Sequence, residues 1–143
     1  MNRRRAREYA LQILFQLELT DSKLSEEMLN EFWEGNVEKK GVRDFTLTIV
    51  KETLANLDAI DETIIKAAEN WSLERMAVID RNILRAATYE LTCRSDIPAS
   101  VVINEAIEIA KKYSTIDSAS FINGILDRIA KASPIVSGKN RKS

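Results

Sequence analysis

The sequence predicts an all-α fold of about seven helices, and two observations lead to this class. The 143 residues include only four glycines and two prolines, so long stretches contain no residue that interrupts a helix. Apolar residues in these stretches recur at spacings of three and four, which is the period of one face of a helix. The length is that of one domain with a substantial core.

The first two predicted helices lie in the N-terminal quarter of the chain. The first covers about Arg4–Leu19, and its apolar face consists of Ala6, Ala10, Ile13, Leu14 and Leu17. Ser25 is a good N-cap for the second helix, because its hydroxyl can accept a hydrogen bond from a free amide of the first turn. Gly35 and Asn36 are typical of a helix end.

A long apolar stripe follows, and it predicts the third and fourth helices. The stripe begins near Gly41 and continues to Trp71 with helical spacing. Asp58 and Asp61 interrupt it. We therefore expect a break or kink between the two helices at these aspartates.

Three further helices are predicted in the C-terminal half. Asp80 is the expected N-cap of the fifth helix. Pro98 suits the first turn of the sixth, which ends near Tyr113. Asp117 or Ser118 is expected to cap the seventh helix.

The seventh helix contains a glycine, and a polar tail follows it. Glycine inside a helix costs about 1 kcal/mol relative to alanine. We therefore expect Gly124 to lie where two helices approach closely. Pro134 and Gly138 indicate the end of the ordered domain, so residues 134–143 are predicted to form a basic, flexible tail.

The composition argues against an enzyme. The chain contains no histidine, which excludes serine–histidine and cysteine–histidine catalysis and the usual zinc sites. Cys93 is the single cysteine, so no internal disulfide can form, which is compatible with a cytoplasmic protein. No apolar run approaches 18 residues, so we expect no membrane contact. No cofactor-binding or metal-binding motif is present.

Positive charge is concentrated at the two ends of the chain. The net charge is −1, but Arg3, Arg4, Arg5 and Arg7 precede the first acidic residue, and Lys139, Arg141 and Lys142 follow the last one. Arginines in the first turn of a helix oppose the helix dipole, so local stability does not explain them. The pattern indicates either a solvated basic terminus or a local contact with a polyanion such as RNA.

The start of the seventh helix allows two interpretations. In the simpler one, Asp117 or Ser118 caps the helix and Phe121 belongs to the core. In the other, Phe121 is partly exposed and stacks on an unpaired base. On the residues alone, the simpler interpretation is favoured.

The sequence resembles the NusB family from about Arg3 to Ala130. The resemblance lies in four stretches: RRAR with the following ALQILF over 4–15, LRAA and YEL over 84–91, IP and VVINEAIEIAK over 97–111, and FINGILD over 121–127. It implies one NusB-like RNA-binding domain over 1–133, with seven helices in two packed three-helix bundles, over about 1–70 and 71–133.

The resemblance also implies a function and its residues. Family members bind the boxA element of single-stranded RNA together with NusE, a ribosomal protein of the small subunit, and help RNA polymerase to read through terminators in ribosomal RNA operons. The implied RNA contacts are Arg4, Arg5, Arg7, Phe15, Asp117 and Phe121, with the adjoining Arg3 and Ser118. The implied NusE contacts are Asp80 and its neighbours Arg81 and Leu84.

Two alternatives remain open at this stage. NusB-like domains also occur at the N-terminus of ribosomal RNA cytosine methyltransferases, but 143 residues leave no room for a methyltransferase fold, and we see no cofactor loop. The other alternative is a homodimer in which a second copy covers the arginine surface.

Overall fold

Seven α-helices make up the protein in a computed structural model, which describes residues 2–69 and 71–133. They are α1 (Arg3–Leu19), α2 (Glu26–Gly35), α3 (Lys40–Ala55), α4 (Leu57–Ala68), α5 (Val78–Cys93), α6 (Ala99–Tyr113) and α7 (Ile116–Ala132), with a short 3₁₀ turn at Leu73–Arg75. The all-α prediction is confirmed. The predicted tail over 134–143 lies outside the described residues. In the described ranges, no helix is long and apolar enough to cross a bilayer.

Side chains cap the helices at some of the predicted positions and not at others. Ser25 caps α2, as predicted, and its Oγ accepts a hydrogen bond from the Met28 amide at 3.2 Å. The other two cap predictions are wrong. Asp80 lies inside the first turn of α5, and Thr115 caps α7 by accepting a hydrogen bond from the Ser118 amide at 2.9 Å.

The break between α3 and α4 lies at Asn56, two residues before the predicted position. The Asn56 Nδ2 donates to the carbonyl of Glu52 at 2.8 Å, and its backbone amide donates to the same carbonyl. The amide side chain thus adds a second hydrogen bond to a carbonyl in the last turn of α3. Asp58 and Asp61 lie within α4.

The core forms around α1 and α5. Helix α1 packs on α3 and α5, and α5 also contacts α4, α6 and α7. Large side chains with at most 2% exposure fill the centre: Ile13, Ile49, Leu84, Leu91, Ile122 and Leu126. Burying each contributes roughly 1.5–3 kcal/mol.

The packing of α4 bears on how the helices divide into bundles. Helix α4 packs mainly against α5 and α7, and only slightly against α3. We therefore propose that the two bundles divide between α3 and α4 rather than near residue 70. Helix α2 completes the N-terminal group, where Phe32 and Trp33 pack edge-on against Tyr9 with ring centroids 5.6 and 5.4 Å away.

Gly124 does not mark a close helix contact, so that prediction is wrong. A Cβ placed at this position would meet only Arg128 Nη1, at the ordinary van der Waals distance of 3.7 Å. Packing within the described protein would therefore accept a Cβ methyl group here.

Candidate functional site

The first turn of α1 presents three arginines at the surface. Arg3 is exposed, with its guanidinium 4.8 Å from the centre of the Phe45 ring. Arg4 is 52% exposed and donates to Glu105 at 2.7 Å. Arg5 lies 4.6 Å from the centre of the Tyr9 ring. These contacts engage one side of each guanidinium group, while the side chains of Arg3 and Arg4 are exposed and that of Arg5 is 39% exposed.

Arg7 differs from the other three arginines because it is buried. Its side chain is 7% exposed and forms a two-pronged ion pair with Glu90, at 2.9 Å from Nε and 2.8 Å from Nη2. This pair joins α1 to α5 in the interior. The expected RNA contact of Arg7 is therefore not available to its side chain, and its role in the structure is to position α1.

A buried carboxylate joins the arginine turn to the end of α6. Glu8 accepts hydrogen bonds from Arg5 and Lys112, both at 3.1 Å, and from the Tyr113 hydroxyl at 3.2 Å. Burial alone would raise the pKa of Glu8, but the bonds from Lys112 and Arg5 outweigh it and hold that pKa below its usual value. Lys112 itself is 56% exposed. We call Arg3, Arg4, Arg5 and Lys112 the basic end.

Phe15 lies two turns farther along α1 than Glu8. It is partly buried and borders a surface hollow of about 260 Å³ with Ile79 and Tyr113. Because the ring is not absorbed into the core, it can contact a ligand from outside. Its place between Tyr113 and Ile79 links the basic end to the start of α5.

Asp80 ties the start of α5 to the start of α7. Its carboxylate accepts hydrogen bonds from the hydroxyls of Ser114 at 2.7 Å and Ser118 at 2.8 Å. These bonds use both carboxylate oxygens, and Asp80 is 7% exposed. The Ser118 hydroxyl is therefore engaged inside the protein, whereas Asp117 is exposed.

Two aromatic rings meet one turn into α7. Phe121 is partly buried, and its ring packs edge-on against Trp71, with centroids 5.7 Å apart and planes at 74°. Trp71 is 55% exposed. We call Phe121 and Trp71 the aromatic end. Phe121 therefore packs against the core, as in the simpler interpretation, while part of its side chain remains exposed.

The expected partner residues occupy different depths. Arg81 is 18% exposed and pairs with Glu18, which also accepts from Arg85. Leu84 has no exposed surface, so it cannot touch a partner in this structure. Asp80 is buried by its two serine contacts. Of the three, Arg81 offers the most side-chain surface.

The arrangement suits binding of a polyanion with unpaired bases. The basic end offers exposed cations, and the aromatic end offers the exposed ring of Trp71 beside the partly buried Phe121. No group of three or more potential metal ligands occurs in the part of the chain that the structure describes.

Comparison with known proteins decides the family. The family model described as NusB family matches residues 4–131. The chain belongs to the NusB family. Among curated relatives, the transcription antitermination protein NusB of Thermodesulfovibrio yellowstonii is 48% identical over 140 residues, covering 92% of this chain and 93% of that protein.

Solved NusB structures share the fold. T. maritima NusB has a TM-score of 0.81 and 45% identity, covering 92% of both chains. A chain from the crystal structure of antitermination factors NusB and NusE in complex with dsRNA has a TM-score of 0.82 and 27% identity, covering 93% of this chain and all of that one.

Three residues of this NusB-family surface were missed by sequence reasoning. Lys112 and Tyr113 reach the basic end through a contact between residues more than 100 positions apart. Trp71 meets Phe121 across 50 positions. The only available signal was local: a lysine pair in the last turn of α6, and a tryptophan at the end of an apolar stripe.

Proposed function

We propose that this NusB-family chain is a transcription antitermination factor that binds boxA-containing RNA together with NusE. The observation that carries this function is its similarity to NusB in the solved NusB–NusE–dsRNA complex. The accessible arginines of α1 and the exposed Trp71 ring beside the partly buried Phe121 support it. The protein acts by binding, without catalysis, on RNA polymerase in the cytoplasm, and it promotes read-through in ribosomal RNA operons.

The basic end binds the RNA backbone. Arg3, Arg4, Arg5 and Lys112 neutralise phosphates and release counterions, so affinity falls with salt concentration. The carboxylates beside them, Glu8 and Glu105, fix the side chains without removing them from the surface. Arg7 contributes indirectly, because its buried pair with Glu90 holds α1 in place.

The rings supply contacts to bases. Phe121 and Phe15 stack on bases that are splayed out of the strand, as is usual in recognition of single-stranded RNA. Asp117 is exposed beside Phe121 and accepts hydrogen bonds from base edges. Ser118 acts by holding Asp80, and thereby the start of α7, in position.

NusE binds near the start of α5. Arg81 remains in the proposed contact, since part of its side chain is exposed. Asp80 and Leu84 do not contact NusE directly, because both are buried. They shape the surface from below: Asp80 connects α5 to α7, and Leu84 fills the core.

The test is binding of a boxA-containing single strand, a scrambled strand and a duplex, each with and without NusE, over a salt series. We expect preference for boxA, enhancement by NusE, and a dependence of log affinity on log salt that becomes shallower by about 0.7 in Arg5→Ala. Lys51→Ala is the matched control, because Lys51 is an exposed cation on α3 that lies outside the proposed RNA-binding surface. Equal affinity for all three RNAs, even with NusE, would contradict the function.

A homodimer remains the second candidate state. Sedimentation with and without RNA separates it from the monomer, since a dimer that covers the basic end would dissociate when RNA binds.

A further inference from the structure

We propose, given the RNA-binding function above, that Trp71, Gly124 and Arg128 form a second nucleotide site next to Phe121 on the face of α7. One base stacks on Trp71, the strand passes over Gly124, and a phosphate binds Arg128. The site extends the aromatic end along the helix by two turns.

Trp71 offers a stacking surface that the fold holds in place. Its backbone amide donates to the carbonyl of Ala68 at 3.2 Å, which anchors the residue at the end of α4. The edge-on contact with Phe121 supports one side of the Trp71 ring. More than half of Trp71 nevertheless faces solvent. An aromatic residue that is held in position and left uncovered is suited to stack on a base.

At Gly124 no side chain projects from α7 next to the two rings. Glycine in a helix interior lowers stability by about 1 kcal/mol relative to alanine. The described protein does not require it, because a Cβ would meet only the end of the Arg128 side chain at 3.7 Å. A ligand that passes close to the helix backbone would explain why this position is a glycine.

Arg128 places a positive charge on the same face. Phe121, Gly124 and Arg128 are separated by three and four residues, so they align along α7. The Arg128 Nε donates to the carbonyl of Ala67 at 2.7 Å, which fixes the guanidinium beside the end of α4. Among residues 2–69 and 71–133, no carboxylate forms an ion pair with Arg128. Its Nη groups are therefore free to bind a phosphate.

The combination favours RNA over a protein partner. An exposed aromatic platform, a helix surface at Gly124 that only the end of the Arg128 side chain approaches, and a fixed arginine without a carboxylate partner are the parts of a single-strand binding site. A protein partner would be expected to fill the space above Gly124 with side chains and to pair Arg128 with an acidic residue. The fluorescence test below distinguishes a protein occupant from RNA.

Fluorescence of Trp71 provides the first test, because the chain has only two tryptophans. Trp33 belongs to α2, and its ring packs against Tyr9 of α1 and Phe32 of α2. The substitution Trp33→Phe therefore leaves Trp71 as the only fluorescent tryptophan. The variant with both tryptophans replaced by phenylalanine supplies the blank for NusE and RNA. We expect boxA RNA to quench Trp71 emission in the NusE complex. Emission that is unchanged while RNA binds, or that changes with NusE alone, would overturn the site.

Affinity measurements provide the second test. Trp71→Ala is expected to weaken RNA binding roughly five- to 150-fold, and Arg128→Ala to weaken it and make the salt dependence shallower by about 0.7. Gly124→Ala should weaken binding roughly fivefold or more while leaving the protein folded. Lys51→Ala should bind like the unchanged chain. If Arg5→Ala weakens binding while Trp71→Ala, Gly124→Ala and Arg128→Ala do not, the second site is wrong and the proposed function stands. If the unchanged chain does not bind RNA, the proposed function itself fails.

Discussion

Replacing Arg7 by alanine should destabilise the fold without removing a direct RNA contact. Arg7 and Glu90 are 7% and 2% exposed, and two hydrogen bonds of 2.8–2.9 Å join them. Removing the arginine leaves the Glu90 carboxylate buried without its main cation. Breaking a buried pair in this way costs about 3–5 kcal/mol. At about 3 °C per kcal/mol for a chain of this size, Tm falls by roughly 10–15 °C.

Urea and thermal unfolding measure this effect directly. A double variant, Arg7→Met with Glu90→Leu, should recover most of the stability, because it removes both charges and keeps apolar volume. At low temperature, where Arg7→Ala is folded, its affinity for RNA and its salt dependence should match those of the unchanged chain. Unchanged Tm together with lost affinity and a shallower salt dependence would refute the assignment of Arg7 as a buried positioning residue.

Other substitutions test the caps, the buried carboxylate and the glycine. Thr115→Ala should lower the free energy of unfolding by about 1 kcal/mol, since Thr115 caps α7, whereas Asp117→Ala should change it by less than about 0.5 kcal/mol; urea unfolding of both distinguishes these positions. Glu8 has a lowered pKa when folded, so it stabilises the protein above about pH 4.5 and this contribution is lost as the pH falls. Glu8→Gln should therefore show a flatter loss of stability below pH 4.5 in acid titrations followed by circular dichroism. Gly124→Ala should raise Tm in the absence of RNA, by about 3 °C; a lower Tm would mean that the helix cannot accept the Cβ.

Helical periodicity predicted the fold well because it reports burial directly. The apolar stripe of α1 appears in the structure as the buried residues Ala6, Ala10, Ile13, Leu14 and Leu17. Cap positions were less predictable, because several polar residues compete at each helix start. At α7, Thr115 provides the cap and the hydroxyl of Ser118 binds Asp80 instead. Sequence spacing contains no information on that long-range contact.

The arginines show the same limit at the site. Arg3, Arg4, Arg5 and Arg7 look equivalent in the sequence, but the helix turns Arg7 inward towards Glu90. Its depth depends on a partner 83 residues away. Leu84 was placed near a partner surface by resemblance, yet it lies at the centre of the core. Resemblance identified the family, and the structure distinguishes exposed candidate residues from buried residues that support them.

The most direct test of the central claim is to map where RNA lies on the protein. Ultraviolet crosslinking of boxA RNA in the complex with NusE, followed by mass spectrometry, identifies the residues in contact with bases. We expect crosslinks at the N-terminal turn of α1, at Phe15, and at Phe121 and Trp71. Crosslinks confined to the outer face of α3 around Lys51, with none at the basic or aromatic end, would contradict the account.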